Sequence, residues 1–370
     1  MSLGPKLKRD INSILVKLYP TPGDIRGVLI RAGIPIGGFN MAESARDSWP
    51  KIIDYSEENR RLDALVTTAN REHAGNYEIT RVASEMQVGD KNRLMAIAKA
   101  IKDEKCILFL GPGVLQCNQG QQLTSFNKFL ARQLQIELNN GEVYYDPALQ
   151  LDLRYIAQRF QTLPTYIKGD IGNLAQTHFE EIRPQITTRP FDNLALLPFS
   201  MVINTNPDNI FEQTVNSASP DKVWSSYYRF SNEVVDDQKP FDPLQNKIIE
   251  YNIFGSFKNI HSILFTEADY VAFTKNILQR TPPLPNEVIA CFDETKYYMF
   301  LGFEFSLWHL KILLEALTII RTEGRSISIY MDNPLSHHEL EYFDKEFKFH
   351  FINRDVSSFT DSLVRQFNAL

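Results

Sequence analysis

The sequence predicts a small helical bundle followed by a doubly wound α/β domain with a mainly parallel sheet. Two patterns predict it. Between residues 7 and 72 apolar residues recur at helical spacing, without the alternation of a strand. Beyond residue 92, short β-branched or aromatic runs alternate with helical segments, the pattern of a sheet covered by helices on both faces.

The elements follow in order. Leu7, Ile11, Ile14, Leu15 and Leu18 form the stripe of a first helix, and Ile25, Val28, Leu29 and Ala32 that of a second. Thr21 can cap the second, with Pro22 in its first turn and Asp24 at its third position, and Gly33 before Ile34-Pro35 suits its end. A third helix is expected from near Ser44, carrying Trp49, Ile52 and Ile53. A fourth is expected from near Ser56, with Glu57 and Glu58 at its positive end and Leu62, Leu65, Val66 and Ala69 buried. A polar stretch, His73 to Asn76, and a helical segment, Asn92 to Lys102, lead into the sheet domain. Its strand candidates are Cys106 to Leu110, Met201 to Ile203, Tyr251 to Phe254, Tyr298 to Leu301, Ile327 to Tyr330 and Phe349 to Ile352. The expected boundaries are 1–78 for the helical domain, 79–91 for a linker and 92–370 for the sheet domain.

Composition excludes several classes. The 370 residues are 43% hydrophobic, enough for two cores, and the net charge of -6 leaves no long basic surface, so nucleic acid is not an expected partner. Cys106, Cys117 and Cys291 contain no C-x-x-C pair, so neither a disulfide framework nor a cysteine zinc site is expected. Adjacent His337 and His338 would point to different sides of a helix and do not make a metal half-site. With no apolar signal core at the N-terminus and no run of about 18 apolar residues, the expected location is the cytoplasm, away from membranes.

In an open α/β sheet a ligand lies outside the carboxyl ends of the strands, so the residues following each run are the candidates. They are Gly111-Pro112-Gly113, Asn204-Thr205-Asn206-Pro207-Asp208, Gly255-Ser256 and Gly302-Phe303-Glu304-Phe305-Ser306. Gly111 and Gly113 permit a tight turn and close approach to a diphosphate, with amide donors from a following helix start; the same glycines also read as a plain exit from a strand. Gln116 at the third fingerprint position disfavours a standard dehydrogenase. Pro207 pushes Asn206 towards an extended conformation, and an amide that donates and accepts suits a ribose diol. Asp208 reads either as an orienting carboxylate or as a turn residue bonded to its own backbone.

These segments, Ile107 to Gly113, Thr205-Asn206-Pro207-Asp208, Tyr251 to Tyr270 and Leu301 to Ser306, resemble the SIR2 family in order, over roughly residues 92 to 370. Leu264-Phe265-Thr266-Glu267-Ala268-Asp269-Tyr270 and Gly302 to Leu314 resemble segments of the zinc-free SIR2-like domains of bacterial defence systems. The resemblance implies a Rossmann-like fold of SIR2 type and NAD as substrate or ligand, with no zinc. By it, Gly111 to Gly113 face the diphosphate, Asn206 and Asp208 the nicotinamide ribose, and Gly302 with Ser306 the adenosine side. Pro112, Val114, Thr205, Gly255 and Phe303 complete the expected binding set.

The chain departs from the family at Phe254, where the resemblance places the catalytic histidine before Gly255. Losing a general base commonly lowers a rate by about 10² to 10⁴. His261 is a candidate substitute, although a loop histidine also reads as a solvated surface residue; His309, in an apolar helical pattern, reads as structural. The candidate catalytic residues are therefore Asn206, Asp208 and His261. The first 78 residues, through Leu18-Tyr19-Pro20-Thr21, Gly33, Trp49 and Arg61 to Leu65, resemble the effector-associated domain type 1, a death-fold-like adaptor that pairs with a matching domain on a partner. A helical cap on its own chain is the alternative. The expected function is that of an NAD⁺ glycohydrolase effector in antiphage defence or another bacterial conflict system. The alternatives are a weak or inactive NAD or ADP-ribose sensor or scaffold and, less favoured, an NAD-dependent protein deacylase.

Overall fold

The computed structural model describes residues 5–40, 42–59, 61–119, 122–141, 143–166, 169–230, 240–294, 297–317, 325–330 and 337–370. The chain divides into two compact units, Met1–Ala96 with Asn333–Asp344, and Ile97–Asp332 with Lys345–Leu370.

The first unit is built from α1 (Pro5–Leu18), α2 (Pro22–Arg31), α3 (Ala45–Glu58), α4 (Leu62–Glu72) and the first turns of α5 (Tyr77–Lys102). The helical stripes read from the sequence are its core: Ile11, Leu15, Val28, Leu29, Trp49, Ile52 and Leu65 are fully buried. Thr21 and Asp24 form a reciprocal capping box at the start of α2, where Pro22 gives up no needed hydrogen bond. Gly33, at φ 69°, turns the chain out of the same helix. The Trp49 indole donates to the Tyr19 carbonyl at 3.2 Å, which satisfies a buried donor and ties α3 to the end of α1.

Two boundaries differ from expectation. Ser56 does not start α4; it is fully buried inside α3, whose apolar face continues past Ile53. Residues 79–91, expected as a linker, lie within α5, and Ile79, Val82 and Ala83 belong to the helical core. A fragment ending at residue 78 therefore loses three core side chains. Burial of one aliphatic side chain contributes about 1.5–3 kcal/mol. A 1–87 fragment should thus melt at a clearly higher temperature than a 1–78 fragment when followed by circular dichroism, and equal melting temperatures would remove α5 from this core.

The second unit holds a seven-stranded sheet, in the order β5-β6-β4-β1-β7-β8-β9. The strands are β1 (Cys106–Leu110), β4 (Met201–Asn204), β5 (Val223–Tyr227), β6 (Ile248–Asn252), β7 (Tyr297–Leu301), β8 (Arg325–Tyr330) and β9 (Phe349–Asn353), and every described pairing among them is parallel. A separate antiparallel hairpin, β2 (Gln116–Gln119) with β3 (Gln122–Ser125), follows β1. The helices of this unit are α6 (Phe126–Asn140), α7 (Leu153–Phe160), α8 (Asp170–Ile182), α9 (Arg189–Ala195), α10 (Ile210–Ala218), α11 (Glu267–Gln279), α12 (Asn286–Glu294), α13 (Trp308–Ala316) and α15 (Val356–Asn368). Between β8 and β9 lies α14 (His337–Phe347); the side chains of His337 and His338 fall outside the described residues.

Strand order steps away from β1 in both directions, through β4 on one side and β7 on the other. Right-handed crossovers then place the connecting helices on opposite faces, and the carboxyl ends of β1 and β7 become the switch point of a doubly wound sheet. Burial of all five residues of both β1 and β6 fits strands covered on both faces. β6 ends before the expected Tyr251 to Phe254 run does, because Gly255, at φ 90°, already turns the chain there.

Candidate functional site at the carboxyl ends of the strands

Four loops meet at this end of the sheet, and their own hydrogen bonds join them. The β1 and β7 loops are locked backbone to backbone: Gly111 N donates to Leu301 O at 2.8 Å and Gly113 N to Gly302 O at 2.8 Å. A Cβ on Gly111 would lie 2.5 Å from Gly302 O, and one on Gly302, at φ 71°, 2.5 Å from Val114 N. These glycines are therefore required by one another. The amides of Gly111, Gly113 and Val114 all have carbonyl partners, and the segment that follows is the β2–β3 hairpin; the next helix starts only at Phe126. The expected helix-start donors for a diphosphate are not at this loop.

The β4 loop grips the β1 loop. Thr205 donates to Leu110 O through both N and Oγ1 at 2.9 Å, and Asn206 Nδ2 donates to Gly111 O at 3.1 Å. The β6 loop in turn holds the β4 loop: Asn252 Nδ2 donates to Asn206 O at 2.8 Å, and Phe257 N to Pro207 O at 2.8 Å. Asn206 and Asp208 are 2% and 1% exposed. Among the described residues Asp208 Oδ2 has no hydrogen-bond partner, while Asp208 Oδ1 accepts from Ile210 N at the start of α10. Burial pushes the Asp208 carboxyl up to about 6, against the pull of its backbone hydrogen bonds. Phe303 packs with Phe300 and Phe305 behind the Gly111 turn, whereas Ser306 is exposed and donates to Glu304 at 3.3 Å.

Phe254 sits in an aromatic cluster. Its ring centroid lies 5.5 Å from Tyr270, 5.2 Å from Phe273 and 5.9 Å from His309. His309 Nδ1 is 3.1 Å from the Arg154 guanidinium, which is held by Asp152 at 2.7 Å. Because arginine only donates, Nδ1 accepts and Nε2 carries the ring proton. Burial, reinforced by the Arg154 charge, pushes His309 down to about 3, so it is a neutral imidazole. His261 is exposed, packs against Gly169, and lines a cleft of about 300 Å³ with Gln161, Ile171, Phe230 and Phe265, a lining that includes neither Asn206 nor Asp208.

Sequence reading missed Glu250. It is fully buried on β6, where Oε1 accepts from Asn204 Nδ2 at 3.0 Å. The signal was present as an acid inside the apolar run Ile248-Ile249-Glu250-Tyr251. Among the described residues no group of three or more His, Cys, Asp or Glu side chains is placed to hold a metal, and no helix is long and apolar enough to cross a membrane.

Comparison with known families finds a match within each unit. Residues 1–87 match effector-associated domain 1, and residues 200–352 match the SIR2-like domain. The chain carries an effector-associated domain 1 and a SIR2-like domain. The SIR2-like match takes in the Asn206, Gly255 and Gly302 loops of the site. No curated protein matches the sequence. A solved structure described as "Structural Basis for the Mechanism and Regulation of Sir2 Enzymes" aligns over 75% of this chain and 98% of its own at 10% identity, with a TM-score of 0.31, too distant a likeness to carry weight.

Proposed function

We propose that the SIR2-like domain binds NAD⁺ across the carboxyl ends of β1, β4, β6 and β7 and cleaves it to nicotinamide and ADP-ribose, as an effector of bacterial antiphage defence or a related conflict system recruited through the effector-associated domain. The observation that carries this reading is the pair Asn206 and Asp208, buried where three loops meet, with Asp208 Oδ2 left without a hydrogen-bond partner among the described residues. Such an oxygen suits a ribose hydroxyl. The fit is at the ribose end, since the amides of Gly111, Gly113 and Val114 already have partners and leave the diphosphate to other donors.

In this reaction the bond between ribose C1′ and the nicotinamide nitrogen breaks, the electron pair leaves with nicotinamide, and a water oxygen adds to C1′ as its proton is released. Positive charge develops on the ribose. Asn206 Oδ1 orients a ribose hydroxyl, and Asp208, largely ionised at pH 7, places negative charge in a site shielded from water. No imidazole is needed to break the glycosidic bond, which is how Phe254 is accommodated. The protein partner in this reading carries a matching effector-associated domain, and clustering through it brings SIR2-like domains together.

A second reading, an NAD or ADP-ribose sensor, is favoured by the sealed aromatic packing of Phe254, which offers no base at the family position. One experiment separates the two. Nicotinamide release and calorimetric NAD⁺ binding are measured on the full chain, its Asn206→Ala variant and its Phe254→His variant. Asn206→Ala should lower release at least about 100-fold, and Phe254→His should raise turnover with little change in affinity. Binding without release in every protein supports the sensor, and the absence of both overturns the NAD reading.

A further inference from the structure

Glu250 is fully buried on β6, between the edge strand β5 and β4. From it a chain of hydrogen bonds runs to the candidate site. Glu250 Oε1 accepts from Asn204 Nδ2 at 3.0 Å, Asn204 Oδ1 accepts from the Asn206 backbone N–H at 2.9 Å, and Asn206 Nδ2 donates to Gly111 O at 3.1 Å. The Asn204 amide is thus oriented from both ends. If Glu250 no longer offers an acceptor, the Asn204 amide is held from one end only, by the Asn206 N–H.

We infer that Glu250 is the positioning residue for Asn206, and that it acts as an uncharged acid. The groups around it explain why it holds its proton. Asp208 and Glu212 face it with negative charge from the β4 loop and α10, while the Asn204 hydrogen bond and Lys258, paired to Glu212 at 2.9 Å, pull the other way without outweighing burial. Arg183 acts on Asp208 and lowers its pKa. Glu250 Oε2 and Asp208 Oδ2 are both buried without a hydrogen-bond partner among the described residues, so two full charges here would be unmatched by donors. Burial, with Asp208 adding to it, pushes Glu250 up to about 8, above the value of about 6 for Asp208. Near neutral pH the arrangement is an acid beside an anion. Ionisation of Glu250 above that range adds a second buried negative charge under the Asn206 loop and loosens it.

This inference rests on the NAD reading only for its ligand. The test therefore has one arm with NAD⁺ and one without. Calorimetric NAD⁺ affinity is measured from pH 6.5 to 9.5 for wild type, Glu250→Gln and Glu250→Leu, and hydrogen exchange of the Asn206 backbone amide is followed in the ligand-free proteins over the same range. Glutamine keeps the acceptor for Asn204 and has no proton to lose. Wild type should lose affinity and amide protection above about pH 8, Glu250→Gln should hold both across the range with affinity within about twofold of wild type at pH 7, and Glu250→Leu should bind about tenfold or more weakly at every pH. Failure of all three proteins to bind NAD⁺ overturns the NAD reading, and the exchange arm still decides the inference. If Glu250→Leu does not fold, the comparison of wild type with Glu250→Gln remains. The inference is overturned if those two share one pH profile of Asn206 protection, or if folded Glu250→Leu protects Asn206 as wild type does.

Discussion

Gly255→Ala should destabilise the SIR2-like unit by more than about 3 kcal/mol, enough to unfold much of it at moderate temperature. Gly255 is at φ 90°, a conformation open to glycine and strained for alanine. An added Cβ would also lie 2.1 Å from Ser262 O and 2.3 Å from Ser262 C, and both are backbone atoms that no rotamer change can move aside. The whole turn would have to shift. It cannot do so freely, because Leu264 N donates to Phe254 O at 3.0 Å and Ser256 N to Ser262 Oγ at 3.0 Å. Urea denaturation provides the measurement, with Gly38→Ala as the control, since a Cβ on Gly38 meets nothing within 4 Å and its effect should stay within about 0.5 kcal/mol. A Gly255→Ala protein as stable as that control would mean the Phe254 to Leu264 turn is not built this way.

Glu250→Gln should make the protein more stable, by an amount that grows with pH. In the folded chain the carboxyl is pushed up to about 8, mainly by burial and further by Asp208, from an ordinary value of 4.5. Below about 4.5 both folded and unfolded chains hold the proton, and the residue carries no penalty. Between 4.5 and 8 the unfolded chain releases the proton while the folded chain retains it, so wild-type stability falls as pH rises, and above 8 the loss is complete. Glutamine does not titrate. Its advantage should be absent near pH 4 and reach the order of 3 kcal/mol near pH 7. Thermal melting of both proteins at pH 4.5, 6, 7 and 8 measures it, and a difference independent of pH would show that Glu250 is ionised in the folded state.

Much of the scaffold was legible because it is written over short distances. The capping box at Thr21, the left-handed Gly33 and the helical stripes through Trp49 and Leu65 depend on residues a few positions apart, and they stand where the sequence placed them. The same holds for β1, β4 and β7, whose apolar runs are nearly continuous, and for β8 and β9, where Ile327, Ile329 and Tyr330, and Phe349, Phe351 and Ile352, supply the β-branched and aromatic residues. Elements with mixed local signals were lost. β5 carries Ser225 and Ser226 in the middle of its run, the linker region reads as polar although Ile79 and Val82 are buried, and Ser56 looks like a cap while lying inside a helix.

By itself, the sequence determined two units of different periodicity and the loops that end the strands, including Asn206, Gly255, Gly302 and the phenylalanine at position 254. Tertiary structure alone decided what those residues do for one another. Gly111 and Gly113 are glycines because the backbone of Gly302, nearly two hundred residues away in the chain, lies against them, and their amides are occupied for the same reason. Glu250 is bonded to Asn204 because β4 and β6 are neighbours in register, and His261 lines a cleft with Gly169 and Phe230 because the turn after Gly255 carries it there. Local pattern encodes where the backbone is helical or extended, since that depends on steric and solvation preferences of adjacent residues. Which distant backbones touch, and which buried oxygens are left without donors, is set only when the sheet closes its register and excludes water.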